Sequence, residues 1–370
     1  MLIGVPKEIK NHEYRVGLSP ASVRELVHHG HEVMIEDGAG LGIGMDNRHY
    51  EEAGATIMPK AADIFAKAKM VVKVKEPQKV EYQQLSKGQI LFTYLHLAPD
   101  RAQTEGLLAS GVTAIAYETV SDGAGGLPLL APMSEVAGRM SIQAGAHALE
   151  KSMGGAGILL GGVPGVPPAK VLILGGGVSG TNAAKMAVGL GADVTLLERS
   201  VNRMRALDDI FLGRVKLEYS TQDALLRHLP HSDLVVGAVL IPGAAAPKLI
   251  SKSMLSMMKT GSVVVDIAID QGGCLETSKA TTHAEPTYII DGIVHYCVAN
   301  MPGAVAQTST FALNNATLPF TLQIADKGWR QALKDSQYLR QGLNIHEGKI
   351  TCKPVAEALG YDYVDAADII

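Results

Sequence analysis

The stretch Val171-Leu172-Ile173-Leu174-Gly175-Gly176-Gly177-Val178-Ser179-Gly180 decides how the rest of the chain is read. Four consecutive apolar residues suit a strand buried on both faces of a parallel sheet. They run into Gly175-x-Gly177-x-x-Gly180, after which Thr181–Ala187 reads as a helix. In that strand–turn–helix setting each glycine has its own task. Gly175 turns the chain tightly, Gly177 lets backbone approach a pyrophosphate, and Gly180 lets helix and strand pack closely. The helix N-terminus then offers N–H groups to the anion. A second strand, Asp193–Leu197, ends at Glu198, where a ribose-binding carboxylate belongs. The expectation is a dinucleotide site.

With 370 residues the chain is long enough for about two domains, each with its own core. Charged residues make up 19% and hydrophobic ones 47%, an ordinary globular composition rather than a disordered one. A net charge of −4 with no basic block argues against nucleic acid or an acidic membrane as partner. Cys274, Cys297 and Cys352 give neither a disulfide framework nor a zinc spacing, and the scattered histidines (His12, His28, His29, His31, His283, His295, His346) show no ligand pattern. No metal is expected. Charged residues follow the first strand at once and no apolar run is long enough to span a bilayer, so the expected compartment is a reducing cytoplasm. No serine nucleophile elbow and no Gly-Lys-Ser/Thr occurs, which removes hydrolase and P-loop readings.

Taken in order, the chain alternates short strands with amphipathic helices. Strands are expected at Leu2–Val5, Val33–Ile35, Met70–Val74, Ile90–Leu95 and Val112–Tyr117, with helices starting at Ser19-Pro20 and near Ala62–Lys67 and Arg101–Leu108. A long helix is expected from Ser134 to Met153, then a Gly/Pro-rich loop to Pro168. Six further strands follow at Val171–Leu174, Val194–Leu197, Val215–Tyr219, Leu234–Val236, Val263–Ile267 and Tyr288–Ile290. Helices at Ala306–Asn315, Leu318–Lys327 and Trp329–Leu339 are expected to return to the first domain. The fold class is therefore α/β, two Rossmann-like doubly wound domains, the first discontinuous and completed by the C-terminal helices. Residues 1–133 with 305–370 are assigned to substrate and catalysis, and 134–304 to the dinucleotide.

Ligands of such sheets bind beyond the carboxyl ends of the strands. That rule singles out Arg15, in the loop after the first strand, and Lys75, His96 and Glu118, each following a later one. A single Arg or Lys is more often a solvated charge, but two at one sheet mouth can clamp a small carboxylate, one as a fork and one as a point charge. His96 carries an imidazole, the side chain best suited to proton transfer. Glu118 reads as a supporting partner. In the second domain Asp270 either orients a base, stabilises an iminium or is itself the acid/base, and Asp270-Gln271-Gly272-Gly273 is equally a turn.

Several stretches, read together, resemble the alanine dehydrogenases. They are Ile3-Gly4-Val5-Pro6-Lys7-Glu8 with Glu13-Tyr14-Arg15-Val16, Lys73-Val74-Lys75-Glu76-Pro77, Tyr94-Leu95-His96-Leu97-Ala98 and Pro132-Met133-Ser134-Glu135. Asp266-Ile267-Ala268-Ile269-Asp270-Gln271-Gly272-Gly273, Asn300-Met301-Pro302-Gly303-Ala304-Val305 and His346-Glu347-Gly348 extend the likeness nearly to the C-terminus. The resemblance implies reversible NAD-dependent oxidative deamination of L-alanine to pyruvate and ammonium by a cytosolic homohexamer. It implies Arg15 and Lys75 as substrate-binding groups and His96 and Asp270 as the acid/base pair. It implies cofactor contacts at Ser134, Gly175, Gly177, Val178, Ser179, Gly180, Glu198, Arg203, Ser220, Val239, Leu240, Ile267, Ala268, Ile269, Asp270, Lys279, Val298, Ala299, Asn300 and Met301. One departure stands out: the family usually has Asp where this chain has Glu198, and Arg199 and Arg203 lie close by, so NAD is expected to be preferred with NADP less firmly excluded. Two other classes share the cofactor fold, an opine-type or transhydrogenase-related enzyme and a nucleotide sensor without chemistry.

Overall fold

The computed structural model describes residues 1–239 and 246–370. The chain divides into two compact units, Met1–Met133 with Val305–Ile370, and Ser134–Ala304.

In the first unit six parallel strands form the body of a sheet: β1 (Leu2–Val5), β2 (Glu32–Glu36), β3 (Thr56–Met58), β4 (Met70–Val72), β5 (Ile90–Thr93) and β6 (Thr113–Ala116). Their order is β6-β5-β4-β1-β2-β3. Sequence reversal between β1 and β4 makes that junction the switch point of a doubly wound sheet. Ile3, Val5, Val71, Val72, Leu91 and Phe92 are completely buried, as strands covered on both faces must be. Helix Pro20–His28 starts as expected, with Ser19 Oγ accepting the Ser22 N–H at 3.2 Å and Pro20 in the first turn. β3 has three residues, too few for a pattern, and was not foreseen.

The second unit repeats the plan. Its strands are β7 (Lys170–Leu174), β8 (Asp193–Glu198), β9 (Lys216–Tyr219), β10 (Leu234–Gly237), β11 (Val263–Asp266), β12 (Thr287–Ile290) and β13 (Ile293–Tyr296), in the order β12-β13-β11-β10-β7-β8-β9. One expectation needs correction. The segment 288–290 is not the sixth parallel strand; it is the antiparallel edge, and β13 is the strand that pairs parallel with β11. Asp291 and Gly292, at φ +49° and +79°, form a two-residue hairpin loop between them.

The chain then returns to the first unit. Ala306–Lys327 is one helix where two were expected, and it runs through Pro319. A mid-helix proline costs about 3 kcal/mol, and the buried face made by Leu313, Thr317, Thr321 and Ile324 outweighs that. Helices Trp329–Asp335 and Gln337–Arg340 follow. The return does more than add helices: β14 (Leu343–His346) pairs antiparallel with β6, and β15 (Lys349–Ile350) pairs with β14. The helix expected from Ser134 spans Ala131–Ala148, ending before the glycine-rich loop. Among the described residues no helix is long and apolar enough to cross a membrane.

Candidate functional site

Each unit gathers most of its candidate residues at the carboxyl ends of its parallel strands. In the first unit Arg15 follows β1, Lys75 follows β4, His96 follows β5 and Glu118 follows β6, on four strands that lie side by side.

Arg15 is only 2% exposed. Its Nε and Nη2 donate to the two carboxylate oxygens of Glu13 at 2.7 and 2.6 Å, and Nη1 lies 3.1 Å from Met133 Sδ. Burial by itself lowers the pKa of a guanidinium; the hydrogen bonds and charge of Glu13 outweigh it and raise that of Arg15. The cation is therefore secure, and it reaches the sheet mouth already paired along one edge.

Lys75 is also mostly buried, its Nζ 3.6 Å from Glu76 Oε2, while Lys10 bonds the other oxygen of Glu76. Burial would raise the Glu76 pKa, but the two ammonium groups lower it overall. Beneath this pair lies Lys73, wholly buried, donating to Glu8 at 2.9 Å and Glu81 at 2.8 Å. Glu8 in turn accepts the backbone N–H groups of Val74 at 2.7 Å and Lys75 at 3.3 Å. A buried ion triad thus shapes the turn that carries Lys75.

His96 is the most exposed of the set, its side chain 43% accessible. The Tyr94 ring stacks on the imidazole, centroids 5.7 Å apart and planes 6° from parallel. Burial raises the Tyr94 pKa; Arg15 pulls it down and Glu118 pushes it up, so the phenol lies within electrostatic reach of both. Tyr94, Glu13 and the Glu8–Lys73–Glu81 triad were not singled out from the sequence. Tyr94 carried a signal, since residues two apart on an extended chain share a face; the carboxylates carried none that separates them from surface charge.

In the second unit Gly175 stands at φ +97°, and a Cβ there would meet Val239 Cγ2 at 2.9 Å and Ala238 O at 3.0 Å. A Cβ on Gly180 would lie 1.8 Å from Gly175 O, so only glycine allows helix Val178–Gly189 to start this close to β7. At Gly177 a Cβ would meet no atom of the described residues within 4 Å. Packing among the described residues does not require that glycine; a pyrophosphate approaching the backbone would. This cradle fits a dinucleotide.

Glu198 ends β8 and already serves the turn: Oε2 accepts the Gly176 N–H at 2.7 Å, and Oε1 accepts those of Arg199 at 2.7 Å and Ser200 at 2.8 Å. Arg203 braces the same turn, donating to Gly176 O at 2.7 Å and Thr181 Oγ1 at 2.8 Å. Ser179 Oγ donates to Ser134 O at 2.9 Å, which joins the start of that helix to helix Ala131–Ala148. Ser220 follows β9, Val239 follows β10, and Ile267, Ala268, Ile269 and Asp270 form the turn after β11, with Asp270 exposed. Asp266 caps that turn, accepting from Ala268 at 3.1 Å and Cys274 at 2.6 Å. Val298, Ala299, Asn300 and Met301 follow β13, Asn300 in the left-handed region at φ +62°. Lys279 is exposed, between β11 and β12 rather than at a strand end. Leu240 lies outside the described residues. Among the described residues no three His, Cys, Asp or Glu side chains could hold a metal ion together.

Known proteins with similar sequences bear directly on this arrangement. Residues 4–137 match the family model for the N-terminal domain of alanine dehydrogenase/PNT, and residues 141–353 match that for its C-terminal domain. An alanine dehydrogenase from Halomonas elongata is 62% identical over 370 residues, all of both chains. One from Mycolicibacterium smegmatis is 52% identical over the same full length. A solved L-alanine dehydrogenase superposes with a TM-score of 0.94 at 53% identity, over 97% of this chain and 99% of that one. A transhydrogenase from Sinorhizobium meliloti superposes at 0.81 with 24% identity over 95% of this chain and 99% of that one, a likeness of fold alone.

Proposed function

The chain belongs to the alanine dehydrogenase/PNT family, and from that premise we propose that it catalyses the reversible NAD-dependent oxidative deamination of L-alanine. Alanine, NAD and water give pyruvate, ammonium, NADH and a proton. The observation that carries the reading is the run of Arg15, Lys75 and His96 along the carboxyl ends of β1, β4 and β5. Arg15 and Lys75 hold the substrate carboxylate, Arg15 as a guanidinium fork and Lys75 as an ammonium point charge. When bound, the nicotinamide accepts the α-hydrogen of alanine with its electron pair. His96 and Asp270 serve as the acid/base pair: one takes a proton from the water that attacks the substrate iminium, and the other protonates the departing ammonia as the carbinolamine collapses.

The dinucleotide is held, in this proposal, by the Gly175–Gly180 turn and Glu198, with Ser134, Val178, Ser179, Arg203, Ser220, Val239, Leu240, Ile267, Ala268, Ile269, Lys279, Val298, Ala299, Asn300 and Met301 around it. NAD is preferred over NADP because the Glu198 carboxylate repels a 2′-phosphate. A homohexamer in the cytoplasm completes the proposal. The test is oxidation of NADH in the presence of pyruvate and ammonium: turnover that requires both is expected. NADH binding without turnover would leave a sensor instead. A lower Michaelis constant for NADP than for NAD would overturn the cofactor assignment, and sedimentation velocity checks the hexamer.

A further inference from the structure

His96 holds its backbone at φ +49°, in the left-handed region that a residue with a side chain rarely adopts. Strain of this kind persists only where the surroundings impose it. The imposing group is Glu118, just past the end of the neighbouring strand β6 and mostly buried. The Leu95 N–H donates to both Glu118 carboxylate oxygens, at 3.1 and 3.2 Å, and the His96 N–H donates to Oε1 at 2.6 Å. The carbonyls of the same turn are caught from helix Arg101–Ser110. Gln103 donates to Leu95 O at 2.9 Å and Thr104 to Leu97 O at 3.2 Å. The imidazole Nδ1 lies 3.9 Å from Glu118 Oε1, too far for a hydrogen bond, so the carboxylate acts on the main chain rather than on the ring.

We infer that Glu118 is a positioning residue: by binding two successive peptide N–H groups it holds the left-handed turn that aims the His96 imidazole, with Tyr94 stacked against the ring. The inference rests on the proposed role of His96 in proton transfer. Its physical content is that two charge-assisted hydrogen bonds offset the strain of the turn. Without them residue 96 relaxes toward extended backbone and the imidazole swings away from the substrate. A misplacement of about 1 Å costs on the order of 100-fold in turnover.

A double-mutant cycle in the full-length protein, read as kcat for pyruvate reduction, tests this. Glu118→Ala is expected to lower kcat about 100-fold. Glu118→Gln, which keeps an acceptor oxygen but loses the charge, is expected to lower it about tenfold. NADH affinity and the pyruvate KM stay within about threefold in both, because the loss falls on the chemical step. In a His96→Ala background neither substitution lowers the residual kcat further. If Glu118→Ala does not fold, Glu118→Gln alone decides, since its loss must vanish in that background. A wild-type kcat in either variant overturns the inference, and so does an equal further loss on top of His96→Ala, which would mark Glu118 as merely structural. Full turnover in His96→Ala itself would instead remove the proposed role of the histidine.

Discussion

Arg15 and Glu13 set the first constraint at the scale of single residues. Glu13 accepts from two donors of the buried guanidinium, at 2.7 and 2.6 Å, and so fixes the plane of the fork. Removing Glu13 takes the strongest counter-charge away from a buried cation. Glu13→Ala is therefore expected to cost about 3 kcal/mol in urea unfolding, as well as altering the pyruvate KM. His96→Ala is expected to lower kcat by 100-fold or more, on the order of what general acid–base groups contribute, while NADH affinity stays within about twofold. A comparable loss of NADH binding would put His96 in the wrong role. The glycine turn allows a sharper contrast. Gly180→Ala drives a methyl group onto Gly175 O and should lower the melting temperature and abolish NADH binding together. Gly177→Ala meets no atom of the described residues; it should melt like the parent chain yet bind NADH roughly tenfold or more weakly in a fluorescence titration.

At the scale of elements, β13 carries a buried histidine inside the second sheet. His295 Nδ1 lies 2.9 Å from Ile293 O and Nε2 2.9 Å from Thr277 Oγ1, with the ring stacked on Tyr288 at 4.9 Å. Burial lowers its pKa from the ordinary 6.5, against smaller opposing contributions from the Ile293 carbonyl and Asp266. The folded state thus binds fewer protons than the unfolded one once the pH falls below that ordinary value. Its contribution to stability is complete above about pH 6.5 and declines as the pH falls. His295→Gln should flatten the fall in unfolding free energy between neutral and mildly acidic pH; an unchanged slope would assign the effect elsewhere.

The same elements show where sequence patterns run out. The parallel strands longer than three residues were legible from their apolar runs, β13 excepted, because a strand covered on both faces has little else to be made of. The two hairpins were not, although each has its turn written in two residues: Asp291-Gly292 joins β12 to β13, and Glu347-Gly348, at φ +43° and +78°, joins β14 to β15. An alternating α/β rhythm sets the expectation, and β14 lies beyond the last expected helix, Trp329–Leu339, where no element is expected; its partner β6 is far away in the chain. The site divides the same way. Arg15, Lys75, His96 and Asp270 follow strands and could be found from that rule, whereas the carboxylates that hold them are recognisable only once the strand ends are side by side.

At the scale of the whole molecule, the first unit is built from the two ends of the chain and the second from its middle. Residues 134–304 form a continuous unit with a closed set of strands, so that fragment alone should fold and bind NADH. A chain ending at residue 340 lacks β14 and β15 and should lose the first unit while keeping the second. Limited proteolysis followed by mass spectrometry checks both, the expected pattern being a protected core covering residues 134–304. Digestion of that core at the same rate as the rest would show instead that the units stabilise only as one.

The split first unit also sets an order of events during synthesis. Residues 1–133 leave the ribosome first, but β6 gains its outer partner only when β14 has been made. At translation speeds of 5–20 residues per second that wait lasts on the order of tens of seconds. Throughout it, the apolar edge Thr113-Ala114-Ile115-Ala116 offers unpaired N–H and C=O groups to any neighbouring nascent chain. Strand β14 is thus a late-arriving guard of that edge as well as a structural partner, and polysomes crowded on one message are where this chain is most exposed to mispairing.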